Sequence, residues 1–242
     1  FIWRLILTTG TGSIFGFLVA RQAYDSAIMA PLFIAMSFSF GLAIYLLVLL
    51  AAYRGSGREL GDLFVKRLGR LLGVFVAVVL YFTAVQHLTN LYAAEHIGVE
   101  RFLLLDGGIY PLLFWGVQVL AGGLVPLALL FRSSGSGSQY ARRRVVPACA
   151  LIIAGGFAQV YVIVIGGQAW PLNMFPGMEV SSSFYDGAIA SYTPGLAEIA
   201  LGLGGVALSL LIVMFGIKVL RFLPVTLANS TLDTQAPQQD GP

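Results

Sequence analysis

Ala27–Tyr53 reads AIMAPLFIAMSFSFGLAIYLLVLLAAY, 27 residues without a single Asp, Glu, Lys or Arg. A helix of about 20 apolar residues crosses the roughly 30 Å hydrocarbon core of a bilayer. This run therefore reads as a transmembrane helix. It is too long and too continuous for a strand of a membrane barrel, which would alternate with period two.

Working outward from it, five more runs of the same kind appear. Phe1–Ala20 precedes it; Leu71–Ala93, Ile109–Phe131, Val145–Gly167 and Leu196–Leu220 follow. The expected fold is an all-α integral membrane protein, a bundle of about six transmembrane helices over residues 1–223. A polar tail, 224–242, is expected to be disordered and cytoplasmic. Composition agrees: 58% of residues are hydrophobic, only 10% are charged, and the mean hydropathy is +0.87. A soluble domain carries about 25% charged residues. The first run follows Arg4, but Thr8–Ser13 is too polar and glycine-rich for the apolar region of a signal peptide. It reads instead as a span of a longer protein.

Charge sets the orientation. Arg4; Arg54, Arg58, Lys66, Arg67 and Arg70; Arg132 and Arg142–Arg144; Lys218 and Arg221 make 12 of the 14 basic residues and fall on one side. Arg21 and Arg101 fall on the other. Basic residues near span ends stay in the cytoplasm. Both ends are therefore expected in the cytoplasm, and the membrane is expected to be the inner, cytoplasmic one. The same placement accounts for a net charge of +3 without nucleic acid. The segment 132–144 reads as a flexible cytoplasmic linker. Its Ser133–Ser138 Gly-Ser repeats superficially match a serine-hydrolase motif, but no histidine lies near them. A single cysteine, Cys149, excludes an internal disulfide or a thiolate-held cluster, and two histidines are too few for a multihaem bundle. No bound metal is expected in this chain.

Polar residues inside a span are costly and are functional candidates by default. The third run carries Thr83, Gln86, His87 and Asn90. At 100° per residue Thr83, His87 and Asn90 share one stripe and Gln86 borders it. Tyr92, Glu95, His96, Glu100, Arg101 and Asp106 follow just outside. Tyr110, Trp115 and Gln118 come next. Histidine, amides and phenols can donate to quinone carbonyls, a carboxylate with a histidine can relay protons, and aromatics can pack on the ring. The candidate quinone-binding or proton-relay residues are His87, Asn90, Tyr92, Glu95, Arg101, Trp115 and Gln118. A second reading stands beside this one: polar side chains also hold membrane helices together by hydrogen bonds. Gly12 and Gly16, four apart, and the cluster Gly202, Gly204 and Gly205 read as close-packing positions. Thr193-Pro194 reads as an N-cap and a first-turn proline, with Glu198 favoured by the helix dipole.

The stretch Gln86-His87-Leu88-Thr89-Asn90-Leu91-Tyr92, then Glu95-His96, Glu100-Arg101-Phe102, Asp106-Gly107-Gly108-Ile109-Tyr110 and Leu113-Phe114-Trp115, resembles the polysulfide-reductase membrane-subunit (NrfD-like) family. Thr11–Gly16, Pro31-Leu32-Phe33 and Gly41 fit the same pattern. Within it, the P subunit of the dissimilatory-sulfite-reductase-associated membrane complex is the branch most resembled. The resemblance implies a quinone-interacting membrane anchor of an oxidoreductase complex, without a redox metal of its own. Such an anchor passes electrons between the quinone pool (menaquinone or ubiquinone) and an extracytoplasmic iron–sulfur subunit, and cytochrome subunits are further candidate partners. Family members have eight to ten helices, so this chain corresponds to a C-terminal part. The long segment Gln168–Gly195, aromatic and free of Lys and Arg, is the expected docking surface. The alternatives are a six-span transporter or channel, which should show internal pseudo-symmetry, and a purely structural anchor.

Overall fold

A computed structural model describes residues 2–58, 60–131, 138–172 and 187–220. The linker core, the middle of the expected docking loop (173–186) and the tail lie outside the described residues. The described chain is helical. In order it forms α1 (Ile2–Gly16), α2 (Met29–Gly55), α3 (Asp62–Tyr92), the short α4 (Ile97–Arg101), α5 (Ile109–Phe131), α6 (Arg142–Ala169) and α7 (Leu196–Val219). Five of these, α2, α3, α5, α6 and α7, are long and apolar enough to cross a membrane.

The first expected span is the one that differs. α1 is a 15-residue helix, about 22 Å at 1.5 Å per residue, and turns replace its expected last residues. It packs on α2 through the two glycines singled out above. A Cβ at Gly12 would lie 2.7 Å from Ala30 Cα, and one at Gly16 would lie 2.8 Å from the Ser26 carbonyl oxygen. Elsewhere the helices outrun the apolar runs at their basic ends. α3 starts nine residues before Leu71, so Lys66, Arg67 and Arg70 stand on helix rather than in a loop. Asp62 opens α3, where a helix favours an anion, and accepts from Arg142 Nε at 3.1 Å. Arg142 also donates to the Leu60 carbonyl. The second half of the expected linker is helical as well, from Ser138.

Three clusters of buried residues fill the described bundle, the smallest of them Leu32, Ala35, Met36 and Val79. Toward the basic end Leu46, Tyr53, Val65, Leu72, Val76, Cys149 and Ile152 pack as a purely apolar core. Toward the other end Tyr24, Met29, Val99, Phe102, Leu103, Tyr110 and Val162 pack together. Between these, α5 and α6 meet backbone to backbone: a Cβ at Gly122 would lie 2.5 Å from Gly155 Cα. Wide π-helical turns run through Leu112–Leu124 and Val162–Gly166. Pro126 follows the first of them, and its missing N–H and ring clash disturb the preceding turn.

At the non-basic end Arg21 closes α6. Its guanidinium donates to the Gln168 and Trp170 carbonyls at 2.9 and 3.0 Å, where a helix C-terminus favours a cation. Tyr24 donates to the Val164 carbonyl at 2.9 Å. Burial pushes its phenol up to about 12 against a weaker opposing pull from Arg21, so the donor stays protonated.

α7 behaves differently from the rest, since none of its residues is buried. A Cβ at Gly202, Gly204 or Gly205 would meet nothing within 4 Å. The expectation of close packing there does not hold among the described residues. Its start also differs: the cap is Gly195, not Thr193, and Glu198 Oε2 accepts the Gly195 N–H at 2.7 Å. Glu198 is thus a capping residue, as the dipole argument expects.

Candidate functional site

The last turns of α3 carry Thr83, Gln86, His87 and Asn90 on the face that packs inward. Thr83, Gln86 and Asn90 are buried. After Tyr92 the chain turns through Ala94–His96 and α4 folds back over this face. The return is completed by Gly107-Gly108. A Cβ at Gly107 would lie 2.3 Å from the Phe102 carbonyl oxygen, and Gly108 has φ +64°, a conformation that glycine adopts without strain.

This turn brings Glu100 onto α3. Its carboxylate is 1% exposed. Asn90 Nδ2 donates to Oε1 at 2.8 Å, and His87 Nδ1 lies 2.6 Å from Oε2. A buried carboxylate persists only when paired and hydrogen-bonded, and here each oxygen has its own partner. The His87 ring stands edge-on to Phe114, centroids 4.7 Å apart. With Nδ1–H directed at Glu100, the other ring nitrogen of a neutral imidazole, Nε2, is an acceptor. Deeper in the bundle Gln159 Nε2 donates to Thr83 Oγ1 at 3.1 Å.

A cavity of about 20 Å³ adjoins the pair, lined by Thr83, Gln86, His87, Glu100, Gln118 and Gln159 with apolar neighbours. A much larger cleft of about 630 Å³ opens on the outside of the same turn. Arg101, Phe102, Tyr110, Trp170 and Tyr192 line it. The two spaces share a wall formed by α4 and the turn that follows it: Glu100 and Leu103 line the cavity, Arg101 and Phe102 the cleft. Tyr192 donates to Glu198 Oε2 at 2.8 Å, and that bond raises the phenol's pKa.

The sequence pattern of the polysulphide reductase NrfD family matches residues 1–171, most of the chain. The chain belongs to the NrfD family. This NrfD chain is 30% identical over 225 residues to the Hdr-like menaquinol oxidoreductase integral membrane subunit of Archaeoglobus fulgidus, covering 92% of this chain and 56% of that one. It is 32% identical over 231 residues to a putative dimethyl sulfoxide reductase membrane subunit of Halobacterium salinarum, covering 89% and 49%. With a selenate reductase subunit of Mesobacillus selenatarsenatis it shares 26% over 219 residues, covering 89% and 48%. The chain thus spans about half the length of the curated relatives it matches. No solved structure matches it.

Of the residues the sequence singled out, this NrfD fold brings three together: His87 and Asn90 on Glu100, and Gln118 on the adjoining cavity. Arg101 sits on the cleft rim, its Nε 2.6 Å from Asp106 Oδ2. Three others fall outside the cluster. Tyr92 is 94% exposed. Glu95 is exposed, 3.6 Å from His96 Nε2, and the buried His96 Nδ1 has no partner among the described residues. Trp115 stands on the outer side of α5, its Nε1 donating to the Leu104 carbonyl at 3.1 Å. Sequence reasoning missed Glu100 and Gln159 as site residues. Gln159 carried a usable signal, a lone amide inside the apolar run 145–167. Glu100 carried little, because a carboxylate beyond a span end normally faces water.

Proposed function

We propose that this chain is the quinone-interacting part of a membrane subunit in a multisubunit redox complex, with the His87–Glu100–Asn90 cluster exchanging protons with the quinone. The carrying observation is the buried Glu100 carboxylate, held on one oxygen by Asn90 and on the other by His87. Quinone reduction takes two electrons and two protons, so a site needs a group that gains or gives a proton without leaving a lone buried charge. Protonating His87 at Nε2 against ionised Glu100 produces a neutral pair, which meets that need.

The cavity at the pair is far smaller than a quinone ring. The adjacent cleft falls within the 300–1,000 Å³ or so usual for small-molecule sites, and Phe102, Tyr110, Trp170 and Tyr192 offer aromatic walls. We place the ring there, with Arg101 at the rim, one layer of chain away from the pair, and with water at the partly exposed His87 carrying the proton between them. The names of the menaquinol oxidoreductase and reductase relatives support this reading. The electron partner is proposed to be an iron–sulfur subunit docked at the Glu100 end, which the basic-residue bias puts on the extracytoplasmic side of the cytoplasmic membrane.

His87→Ala and Glu100→Gln, assayed in the whole complex at matched levels of the assembled chain, test this. Quinone-linked turnover should fall on the order of 10²-fold, the scale of one positioned acid–base group. If the cluster only joins helices, stability falls by roughly 0.6 kcal/mol per bond and turnover stays normal; that result rejects the proposal.

A further inference from the structure

Four polar side chains lie at one level in the bundle, one from each of four helices. Ser39 stands ten residues from the Met29 end of α2, Thr83 nine from Tyr92, Gln118 nine from Ile109 and Gln159 ten from Ala169. At 1.5 Å per residue all four lie roughly 13–15 Å below the Glu100 end. That is about half of the ~30 Å hydrocarbon core. All are buried, at 1, 4, 6 and 2% exposure.

Two small cavities border this level, and Gln118 and Gln159 are walls of both. The upper one reaches Glu100 and His87. The lower one, also about 20 Å³, reaches Ser39. Glycine shapes the lower one, since Gly122, Gly123, Gly155 and Gly156 all line it. A water needs roughly 10–15 Å³ of such space and two to four polar partners. The upper cavity supplies these from Thr83, Gln86, Gln118 and Gln159. The lower supplies them from Ser39, Gln118 and Gln159. Gln159 uses one N–H on Thr83, which leaves its carbonyl oxygen and second N–H. Below Ser39 the lining passes to Val76 and Ile152, members of the apolar core of the basic end.

We infer that these cavities hold a file of two ordered waters, running from the His87–Glu100 pair to the middle of the membrane and ending there on the apolar core. The file solvates the buried carboxylate from below. A proton on the pair then equilibrates with the Glu100 end, reached through the partly exposed His87, and not with the basic end. The inference goes beyond the quinone reading and stands or falls without it.

Microsecond radiolytic labelling in ¹⁸O-water, on the whole complex in nanodiscs, tests it, because bound water labels the side chains beside it. Met29 lines the upper cavity, whereas the equally buried Met36 lines neither. Ile152, 1% exposed, lines the lower cavity; Leu72, 0% exposed, lies in the apolar core and lines neither cavity. After correction for intrinsic reactivity, Met29 should label several-fold faster than Met36, and Ile152 several-fold faster than Leu72. Equal rates within each pair overturn the file. Gln159→Leu should then depress labelling at both Met29 and Ile152 while sparing Met36, and unchanged labelling refutes the assignment to the shared amide wall. The wild-type comparison decides the matter by itself if that variant fails to fold. None of these readings depends on quinone turnover, so a failed quinone assay leaves them intact.

Discussion

Gly122→Ala adds one methyl where α5 and α6 touch. Its Cβ would sit 2.5 Å from Gly155 Cα, and the reciprocal Cβ at Gly155 2.4 Å from Gly122 Cα. Carbon atoms settle at about 3.5–4.0 Å, so the helices must part by roughly 1–1.5 Å. Both atoms are backbone, so no flexible side chain can swing aside. A radial gap of even 0.5–1 Å or so forfeits about a quarter to a half of the dispersion energy across a contact. Lipid provides no hydrophobic drive to restore the contact, because close packing is itself what holds membrane helices together. Overpacking of this kind costs about 1–3 kcal/mol, and the shift also displaces Gln118, one turn away. The measurement is reversible unfolding by steric trapping in bicelles. Gly41→Ala serves as the control, since a Cβ there meets nothing within 4 Å and removing a helix-interior glycine gains roughly 0.5–1 kcal/mol. The double variant Gly122→Ala/Gly155→Ala should cost less than the sum of its parts, because helices already parted admit the second methyl. A Gly122→Ala protein as stable as wild type would refute the backbone contact.

Tyr24→Phe should cost about 0.5–1.5 kcal/mol through the bond to Val164. Because the folded phenol titrates near 12, above its ordinary 10.0, that contribution is complete below pH 10 and is lost toward pH 12; the gap between wild type and variant should shrink across that window in unfolding measurements. Asp62→Asn should change stability by less than about 1 kcal/mol, since its ion pair with Arg142 is partly exposed; a larger loss in the same assay contradicts a screened pair. Ser56→Cys and Tyr92→Cys should react with an impermeant maleimide from the cytoplasmic and the extracytoplasmic side respectively, against a background in which Cys149 is buried. Labelling of both from one side would overturn the orientation drawn from the basic residues.

Much of the architecture was readable along the chain because a bilayer imposes a one-dimensional rule: apolar length decides crossing, and basic residues mark one side. Ala27–Tyr53 and Ile109–Phe131 needed nothing more, and the 100° stripe of Thr83, His87 and Asn90 on α3 followed from helix geometry alone. The family resemblance rested on the same local stretches. Where helices end was less legible, because a charged residue such as Lys66 or Arg67 can continue a helix out of the membrane without any change in backbone preference. α1 shows the reverse: turns replace its last expected residues although the sequence there stays largely apolar.

The site itself was decided by tertiary structure. No periodicity relates Glu100 to His87, because they lie on opposite sides of the turn at Ala93–His96, where the helical register of α3 ends. Nor does any spacing relate Ser39, Thr83, Gln118 and Gln159, which come from four helices and share a level only because each stands about equally deep. Glycine pairs such as Gly122 and Gly155 marked close approach only once the two helices were set against each other. Sequence determines which groups enter the membrane and at what depth; packing determines which of them meet, because a buried polar group persists only where another element brings it a partner.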